Sequence, residues 1–124
     1  MNKSTEISRA LTQQSKAAQL GFDWPDVTPV FEKVTEELDE LKEALASGDK
    51  MHSKQEFGDL FFAILNIARH LNIDPEQALA LTNKKFEKRF EYVCKTAAIE
   101  GVKLATENLA ALDAFWEQAK SFDE

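Results

Sequence analysis

Turn-forming residues and cysteine are both scarce in this sequence of 124 residues. Four glycines and three prolines are too few to connect the many short strands of a β-sandwich or a β-barrel. Cys94 is the only cysteine, which excludes an intrachain disulfide and a thiolate zinc site built by one chain. These absences favour a helical protein in a reducing compartment.

Long apolar segments are also missing. The longest uninterrupted apolar run extends only from Leu60 to Leu65, far short of a membrane-spanning helix. The amino-terminal stretch MNKSTEIS is polar and lacks the apolar core of a signal peptide. We therefore expect a cytoplasmic protein with no membrane partner.

Positive charge is outnumbered, and the formal net charge is −7 at pH 7. Such a chain repels polyanions, so we expect no sequence-independent binding to a nucleic-acid backbone. A small multivalent anion can still bind where metal ions and a few basic residues neutralise it locally.

The apolar residues that are present recur at the spacing of amphipathic helices. The first predicted helix runs from about Thr5 to Leu20. The second has Thr28 as N-cap and Pro29 as its first residue, and Gly48 ends it. A third helix, from about Ser53 to Leu71, is apolar around most of its circumference and is predicted to be central and buried.

Two further helices complete the pattern. Asp74 and Pro75 are predicted to open the fourth helix as cap and first residue, and Gly101 to end it. Thr106 is the cap candidate of a shorter last helix. The sequence thus predicts an all-α fold, an antiparallel bundle of four main helices plus a short C-terminal helix. No composition shift marks a linker, so residues 1–124 are expected to form a single domain.

Acidic residues follow one flank of the second helix. The apolar stripe of this helix is predicted to be centred near Leu38, with Glu37 at its border and Glu40 and Glu36 further round. Taken alone, such a run is more typical of a solvated acidic face than of a site.

The third helix changes that interpretation, because Glu56 projects between Leu60 and Ala63 on the apolar face, with Asp59 one turn on. A carboxylate in such a place needs a cationic partner. Pairs at positions i and i+3 on adjacent helices can converge into an all-oxygen site, which selects Mg²⁺, Mn²⁺ or Ca²⁺.

The two histidines do not extend this site. Neither His52 nor His70 completes a Glu-x-x-His pair, which argues against a di-iron helical bundle. Both are interpreted as surface or helix-end residues.

The fourth helix supplies positive charge. Lys85 and Arg89 lie on one edge of its core stripe, from which they could reach phosphates held by metal in the bundle. Ordinary surface salt bridges explain these residues about equally well.

Four segments together resemble the MazG-like nucleoside triphosphate pyrophosphohydrolases. The segments are GFDWPD at 21–26, KVTEELDEL at 33–41, EFGDLFFAILNIARHLNID at 56–74 and NKKFEKRF at 83–90. Each is weak alone, but an EExxE motif followed by ExxD and then KFxxRF is hard to obtain by chance. The resemblance covers nearly the whole chain.

This resemblance implies an all-α enzyme that forms a homo-oligomer, a dimer or a dimer of dimers. It implies Mg²⁺, for which Mn²⁺ can substitute, held by Glu37, Glu40, Glu56 and Asp59, which are also the catalytic candidates. The implied reaction cleaves a nucleoside triphosphate between its α and β phosphates and releases a monophosphate and pyrophosphate. Which carboxylate activates the attacking water stays open.

The same resemblance implies phosphate-binding roles for Lys85 and Arg89, and three other residues are weaker nucleotide-binding candidates. Asn83 is a candidate for the sugar or phosphate. Asn66 is a candidate pocket residue, although a hydrogen bond inside the bundle explains it nearly as well. Trp24 offers a ring for base stacking, and packing over the bundle end is at least as good an explanation. Gly58, in mid-helix, matches the family pattern and suggests close helix approach.

Two alternatives to a housekeeping pyrophosphohydrolase remain open at this point. One is a helical interaction module whose acidic face binds a basic partner, and the apolar setting of Glu56 argues against it. The other is a related all-α phosphohydrolase such as a dUTPase, which spacing cannot separate because base choice depends on pocket shape.

Overall fold

The computed structural model describes residues 5–122, and this part of the chain contains five α-helices and no strand. They are α1 (Thr5–Gln19), α2 (Thr28–Ser47), α3 (Lys50–His70), α4 (Pro75–Glu100) and α5 (Leu109–Lys120). A 3₁₀ turn at Thr106–Asn108 precedes α5. The predicted all-α class is confirmed. Of the helices in this range, none combines the length and the apolar character that crossing a bilayer requires.

The chain divides into two compact units, the first ending at Pro75 and the second beginning at Glu76. Each unit is described by itself below. The expectation that residues 1–124 form a single domain stays a prediction.

Helix α1 ends at the predicted place, just before Gly21, where the backbone turns into the following loop. Gly21 has φ +90°, and its N–H donates to the Ala18 carbonyl while that of Phe22 donates to the Ala17 carbonyl, both at 2.9 Å. This pair of bonds is a Schellman motif, which favours glycine because its next-to-last residue, here Gly21, adopts the left-handed region. Asn72 (φ 55°) ends α3 in the same way, with the Ile73 N–H bonded to the Ala68 carbonyl.

Three predicted helix starts are wrong, each because another side chain or turn takes the capping role. Thr28 is inside α2 and not its N-cap; Asp26 Oδ1 accepts the Thr28 N–H at 2.8 Å. α3 begins at Lys50 and not near Ser53, since Asp49 caps it through the His52 N–H at 3.0 Å. The 3₁₀ turn places the start of α5 at Leu109, three residues after Thr106.

The first unit is organised around α3, which packs along α2 and also contacts α1. The residues of α2 that are buried are Val30, Glu37 and Ala44, spaced seven apart. The buried face is therefore centred near Glu37, whereas the sequence placed it near Leu38, which is 40% exposed. This rotation brings a carboxylate into the helix interface.

In the described residues α3 is central to the first unit, as predicted, but only part of its surface is buried. Small residues such as Ala63 and Ala68 are buried, while Phe57 and Phe61 are exposed. A Cβ added at Gly58 would meet nothing within 4 Å, so close helix approach within the described chain does not explain this glycine.

The second unit is joined by aromatic and polar contacts between α4 and α5. The rings of Phe86 and Trp116 lie 5.3 Å apart, centroid to centroid, and the Tyr92 hydroxyl donates to Gln118 Oε1 at 2.9 Å. Val93, Ala97 and Ala119 are buried in this unit.

Candidate metal centre and the adjoining cavity

Packing of α2 against α3 brings the four predicted carboxylates of the first unit together. Oxygens of Glu37, Glu56 and Asp59 all lie within 4.8 Å of one another, and so do oxygens of Glu36, Glu37 and Glu40. Glu37 belongs to both groups because it lies at the centre of the buried face of α2. We call Glu37, Glu40, Glu56 and Asp59 the carboxylate cluster.

Glu37 and Glu56 each have one oxygen close to a basic residue that lies four positions earlier on the same helix. Lys33 Nζ lies 3.0 Å from Glu37 Oε2, and His52 Nε2 lies 3.3 Å from Glu56 Oε2. The other oxygen of each group, Oε1, is buried and has no hydrogen-bond partner among the described residues. A buried carboxylate oxygen without a partner is costly, so the arrangement is incomplete by itself.

The electrostatics of the cluster show an excess of negative charge. A hydrogen bond with Glu56 and the charge of Glu37 raise the pKa of Glu40. Desolvation, followed by the charges of Glu37 and Glu56, raises the pKa of Asp59. The hydrogen bond to Glu37 raises the pKa of Lys33, which does not remove the repulsion felt by the other carboxylates.

These features fit a bound divalent cation. The donor atoms are all carboxylate oxygens, which hard cations such as Mg²⁺ prefer. Within residues 5–122, two buried carboxylate oxygens lack a hydrogen-bond partner, and the groups around them repel one another. A cation at this place would give the buried oxygens a partner and would also reduce the repulsion between the carboxylates.

A cavity of about 710 Å³ adjoins the cluster within the first unit. Its size is in the range of small-molecule sites. Glu37, Asp59 and Lys33 line part of it. Its other walls carry aromatic rings, amides and an arginine, contributed by Phe22, Trp24, Phe62, Gln14, Asn66 and Arg69.

A second charged group of this cavity is centred on Asp23. Its Oδ1 accepts from Arg69 Nη2 at 2.6 Å and from the Trp24 N–H at 2.8 Å, and lies 3.0 Å from His70 Nε2. These bonds, that of Arg69 above all, lower the pKa of Asp23 to about 2. Arg69 also donates to Asn66 Oδ1 from Nε at 3.0 Å and from Nη2 at 2.8 Å. We call Asp23, Arg69, Asn66 and His70 the Asp23 network.

The two histidines occupy the kinds of position that were predicted. His70 is a helix-end residue, the last residue of α3. Its side chain is only 10% exposed and lies 3.0 Å from Asp23 Oδ1. His52 is 49% exposed and lies beside Glu56.

The weaker predicted site residues are distributed over both units. Trp24 and Asn66 line the cavity together with Glu37 and Asp59, and their roles stay predictions. Trp24 is 43% and Phe22 83% exposed, so the loop does not bury these rings in the core.

The remaining predicted residues, Asn83, Lys85 and Arg89, lie on α4 in the second unit. The Arg89 guanidinium lies 5.7 Å from the centroid of the Trp116 ring, a cation–π geometry. Their phosphate- and nucleotide-binding roles stay predictions.

Several residues of this site were not predicted from the sequence. Lys33 and His52 carried a local signal, since each stands four residues before a carboxylate and i, i+4 pairs meet on a helix. Asp23 and Arg69 are 46 residues apart, and no local pattern connects them. Gln14, buried on α1 with its Nε2 donating to the Phe62 carbonyl at 3.0 Å, carried no signal either.

Comparison with known proteins gives a family. Residues 26–94 match the family described as the MazG nucleotide pyrophosphohydrolase domain. The matched range holds α2, α3 and most of α4, and it contains the whole carboxylate cluster.

Two relatives with assigned names align over almost the whole chain. A Thermotoga maritima protein named nucleoside triphosphate pyrophosphohydrolase/pyrophosphatase MazG is 44% identical over 118 residues, covering 95% of this chain and 45% of the relative. An Escherichia coli K12 protein named nucleoside triphosphate pyrophosphohydrolase is 39% identical over 116 residues, covering 92% of this chain and 44% of the relative.

A third relative shares a shorter segment. The Bacillus subtilis uncharacterized protein YabN is 51% identical over 67 residues, which cover 54% of this chain and 14% of the relative. The chain spans less than half the length of each of these relatives. On the family match and these identities, the chain belongs to the MazG nucleotide pyrophosphohydrolase domain family.

Proposed function

We propose that this chain hydrolyses nucleoside triphosphates to a nucleoside monophosphate and pyrophosphate with the help of Mg²⁺. The observation that carries the proposal is the carboxylate cluster, where two buried oxygens without partners face other carboxylates beside a cavity large enough for a nucleotide. Family membership and the names of the relatives support the same reaction class.

The four carboxylates of the cluster would hold the cation. When bound, Mg²⁺ neutralises phosphate charge, polarises the α-phosphoryl group and lowers the pKa of a coordinated water. Lys33 and His52 hold Glu37 and Glu56 in place through their Oε2 atoms, which leaves each Oε1 available as a ligand atom.

In the proposed reaction a water oxygen bonds to the α-phosphorus, the bond from that phosphorus to the bridging oxygen breaks, and pyrophosphate leaves. A carboxylate of the cluster positions the water or takes its proton.

Other residues have proposed roles in binding the substrate. Trp24 and Asn66 line the cavity and are proposed to contact the nucleoside. Lys85 and Arg89 are proposed to bind phosphates, and Asn83 the sugar or phosphate. Lys85→Ala and Arg89→Ala should then raise KM by about tenfold or more, and unchanged kinetics in both variants would show that phosphate is bound elsewhere.

The wider biological setting is proposed from the same resemblance. We propose a cytoplasmic house-cleaning enzyme that removes non-standard or excess nucleotides and works as a dimer or a dimer of dimers. Mn²⁺ is expected to substitute for Mg²⁺ because both prefer oxygen ligands. The docking-module alternative has no support from the geometry, since Glu37 is only 6% exposed and cannot act as an outward-facing charge.

The experiment is a product analysis of the purified protein with each common ribo- and deoxyribonucleoside triphosphate, with Mg²⁺ or with EDTA. We expect monophosphate and pyrophosphate only when metal is present, and the rates rank the bases, including dUTP. Diphosphate and inorganic phosphate would overturn the proposed cleavage position. No product from any substrate would overturn the proposed substrate class.

A further inference from the structure

Arg69 connects two parts of the cavity wall, the loop after α1 and helix α3. One hydrogen bond of its guanidinium goes to Asp23 in the loop after α1, and two go to Asn66 one turn earlier on α3. The Arg69 side chain is 18% exposed, so the contacts are shielded in part from solvent. Both Arg69 and Asn66 line the cavity.

The contacts with Arg69 determine which end of the Asn66 amide is left for a ligand. Arginine only donates hydrogen bonds, so the atom it contacts must be the amide oxygen, Oδ1. That oxygen accepts two N–H groups, at 3.0 and 2.8 Å. The Nδ2 hydrogens have no partner in residues 5–122, and they are the part of this amide that can still form a hydrogen bond.

The contact with Asp23 fixes the loop that carries Trp24. Asp23 Oδ1 binds Arg69 and at the same time accepts the backbone N–H of Trp24. The Trp24 backbone is therefore tied to α3 through a single carboxylate oxygen, and the indole ring lies on the cavity wall.

We propose that Arg69 is a positioning residue for nucleoside recognition: it presents the Asn66 amide to the cavity as a hydrogen-bond donor and holds the Trp24 loop in place. The group recognised is then an acceptor oxygen of the nucleoside, either a keto oxygen of the base or a hydroxyl oxygen of the sugar. This inference rests on the proposed nucleotide substrate. It adds that the protein donates the hydrogen bond and the nucleoside accepts it.

Arg69→Lys tests the proposal, because lysine keeps the positive charge beside Asp23 but cannot form the two-pronged contact with Asn66. KM and kcat are measured for ATP, for ITP, which has a keto oxygen in place of the 6-amino group, and for dATP. We expect KM to rise about tenfold for the preferred substrate with kcat changed less than about twofold. Loss of the ITP-over-ATP preference identifies the base as the source of the acceptor, and loss of the ATP-over-dATP preference identifies the sugar.

Two further variants separate positioning from structural support. Asn66→Leu should reproduce the loss of preference, and adding Arg69→Lys to it should change KM little further, since both remove the same hydrogen bond. Arg9→Lys is the matched control, because Arg9 pairs with Glu6 at 3.2 Å on the surface of α1 and should leave KM and preference unchanged.

The outcome that overturns the proposal is a lowered thermal midpoint in Arg69→Lys with KM and both preferences intact, since that describes a structural tie only. Additive effects of the two variants on KM would overturn it as well. Calorimetric binding of AMP, IMP and dAMP repeats the comparison without hydrolysis. If the wild type binds these with a preference that Arg69→Lys removes, the positioning role stands even where the proposed reaction fails.

Discussion

The carboxylate cluster and the Asp23 network both contribute residues to the wall of one cavity, but their partly buried charges are compensated to different degrees. In the cluster, Lys33 and His52 each pair with one of four carboxylates, and two buried oxygens lack a hydrogen-bond partner among the described residues. In the Asp23 network, a single carboxylate receives an arginine, a histidine and a backbone N–H. The pKa of Asp59 is raised in the first group, and that of Asp23 is lowered to about 2 in the second.

This difference distinguishes carboxylates prepared for a cation from a carboxylate whose charge is already compensated. A carboxylate that is fully paired stabilises the fold and has little left to offer a cation. A group of carboxylates kept close without enough positive charge is unfavourable until something cationic arrives. The cavity therefore has one end whose carboxylates need a cation and one end whose carboxylate is already paired with cationic and N–H groups.

The largest expected effect is on turnover when a cluster ligand is neutralised. Glu56→Gln removes a charged oxygen donor, and we expect kcat to fall by about 100-fold or more. Because the same change relieves repulsion, the metal-free free energy of unfolding should stay within about 1 kcal/mol of wild type or rise. Steady-state kinetics and urea unfolding measure the two quantities.

Glu43→Gln is the matched control for this substitution. Glu43 is an exposed glutamate of α2 outside both carboxylate groups, so its turnover should equal that of wild type. A Glu56→Gln protein that keeps wild-type turnover, or that unfolds easily with its turnover per folded molecule unchanged, would show that the cluster has a structural role only.

A smaller effect is expected on the free energy of unfolding when Asp23 is neutralised, and this effect depends on pH. Because folding lowers the pKa of Asp23 from 3.8 to about 2, its ionised form stabilises the folded state above about pH 4. That stabilisation is lost as the pH falls toward 2. Asp23→Asn should cost about 1 kcal/mol at pH 7, a modest value because the pair is reached by solvent.

The pH dependence of this cost tests whether the ion pair between Asp23 and Arg69 stabilises the fold. The difference between Asp23→Asn and wild type in urea unfolding should shrink between about pH 4 and pH 2. Asp113→Asn, at an exposed position of α5, is the control and should show no such trend. A difference for Asp23→Asn that is constant with pH would mean that the ion pair with Arg69 does not stabilise the fold.

The smallest effect concerns Gly58, next to Asp59 in the cluster. A Cβ at this position meets nothing within 4 Å, so Gly58→Ala should raise the free energy of unfolding by about 0.5–1 kcal/mol through helix propensity. Gly48→Ala should do the reverse, because Gly48 has φ +77° and alanine is strained there. Destabilisation by Gly58→Ala would show that a further body packs on α3 at the cluster.

Helical periodicity explains why much of this arrangement was predictable. Residues three apart share a helix face, so the pairing of Glu37 with Glu40 and of Glu56 with Asp59 followed from spacing alone. Glycines at 21, 48 and 101 marked three helix ends correctly because the left-handed region favours that residue. The all-α class followed from the same periodicity.

The parts that were missed depend on tertiary packing or on competition between caps. The rotation of α2 that buries Glu37 depends on which face meets α3, and Leu38 looked equally suitable from the sequence. Asp49 and Ser53 are both good N-caps, and only the structure selects Asp49. The contact between Asp23 and Arg69 joins distant segments, and no period or motif predicts it.

The most direct test of the central claim is hydrolysis in ¹⁸O-labelled water by wild type, Glu56→Gln and Glu43→Gln, with Mg²⁺ or EDTA, followed by mass spectrometry of both products. We predict one ¹⁸O atom in the monophosphate and none in the pyrophosphate, formed by wild type and Glu43→Gln only with Mg²⁺ and about 100-fold or more slowly by Glu56→Gln. Turnover that survives EDTA and the Glu56→Gln substitution would contradict a reaction that depends on a cation in the carboxylate cluster.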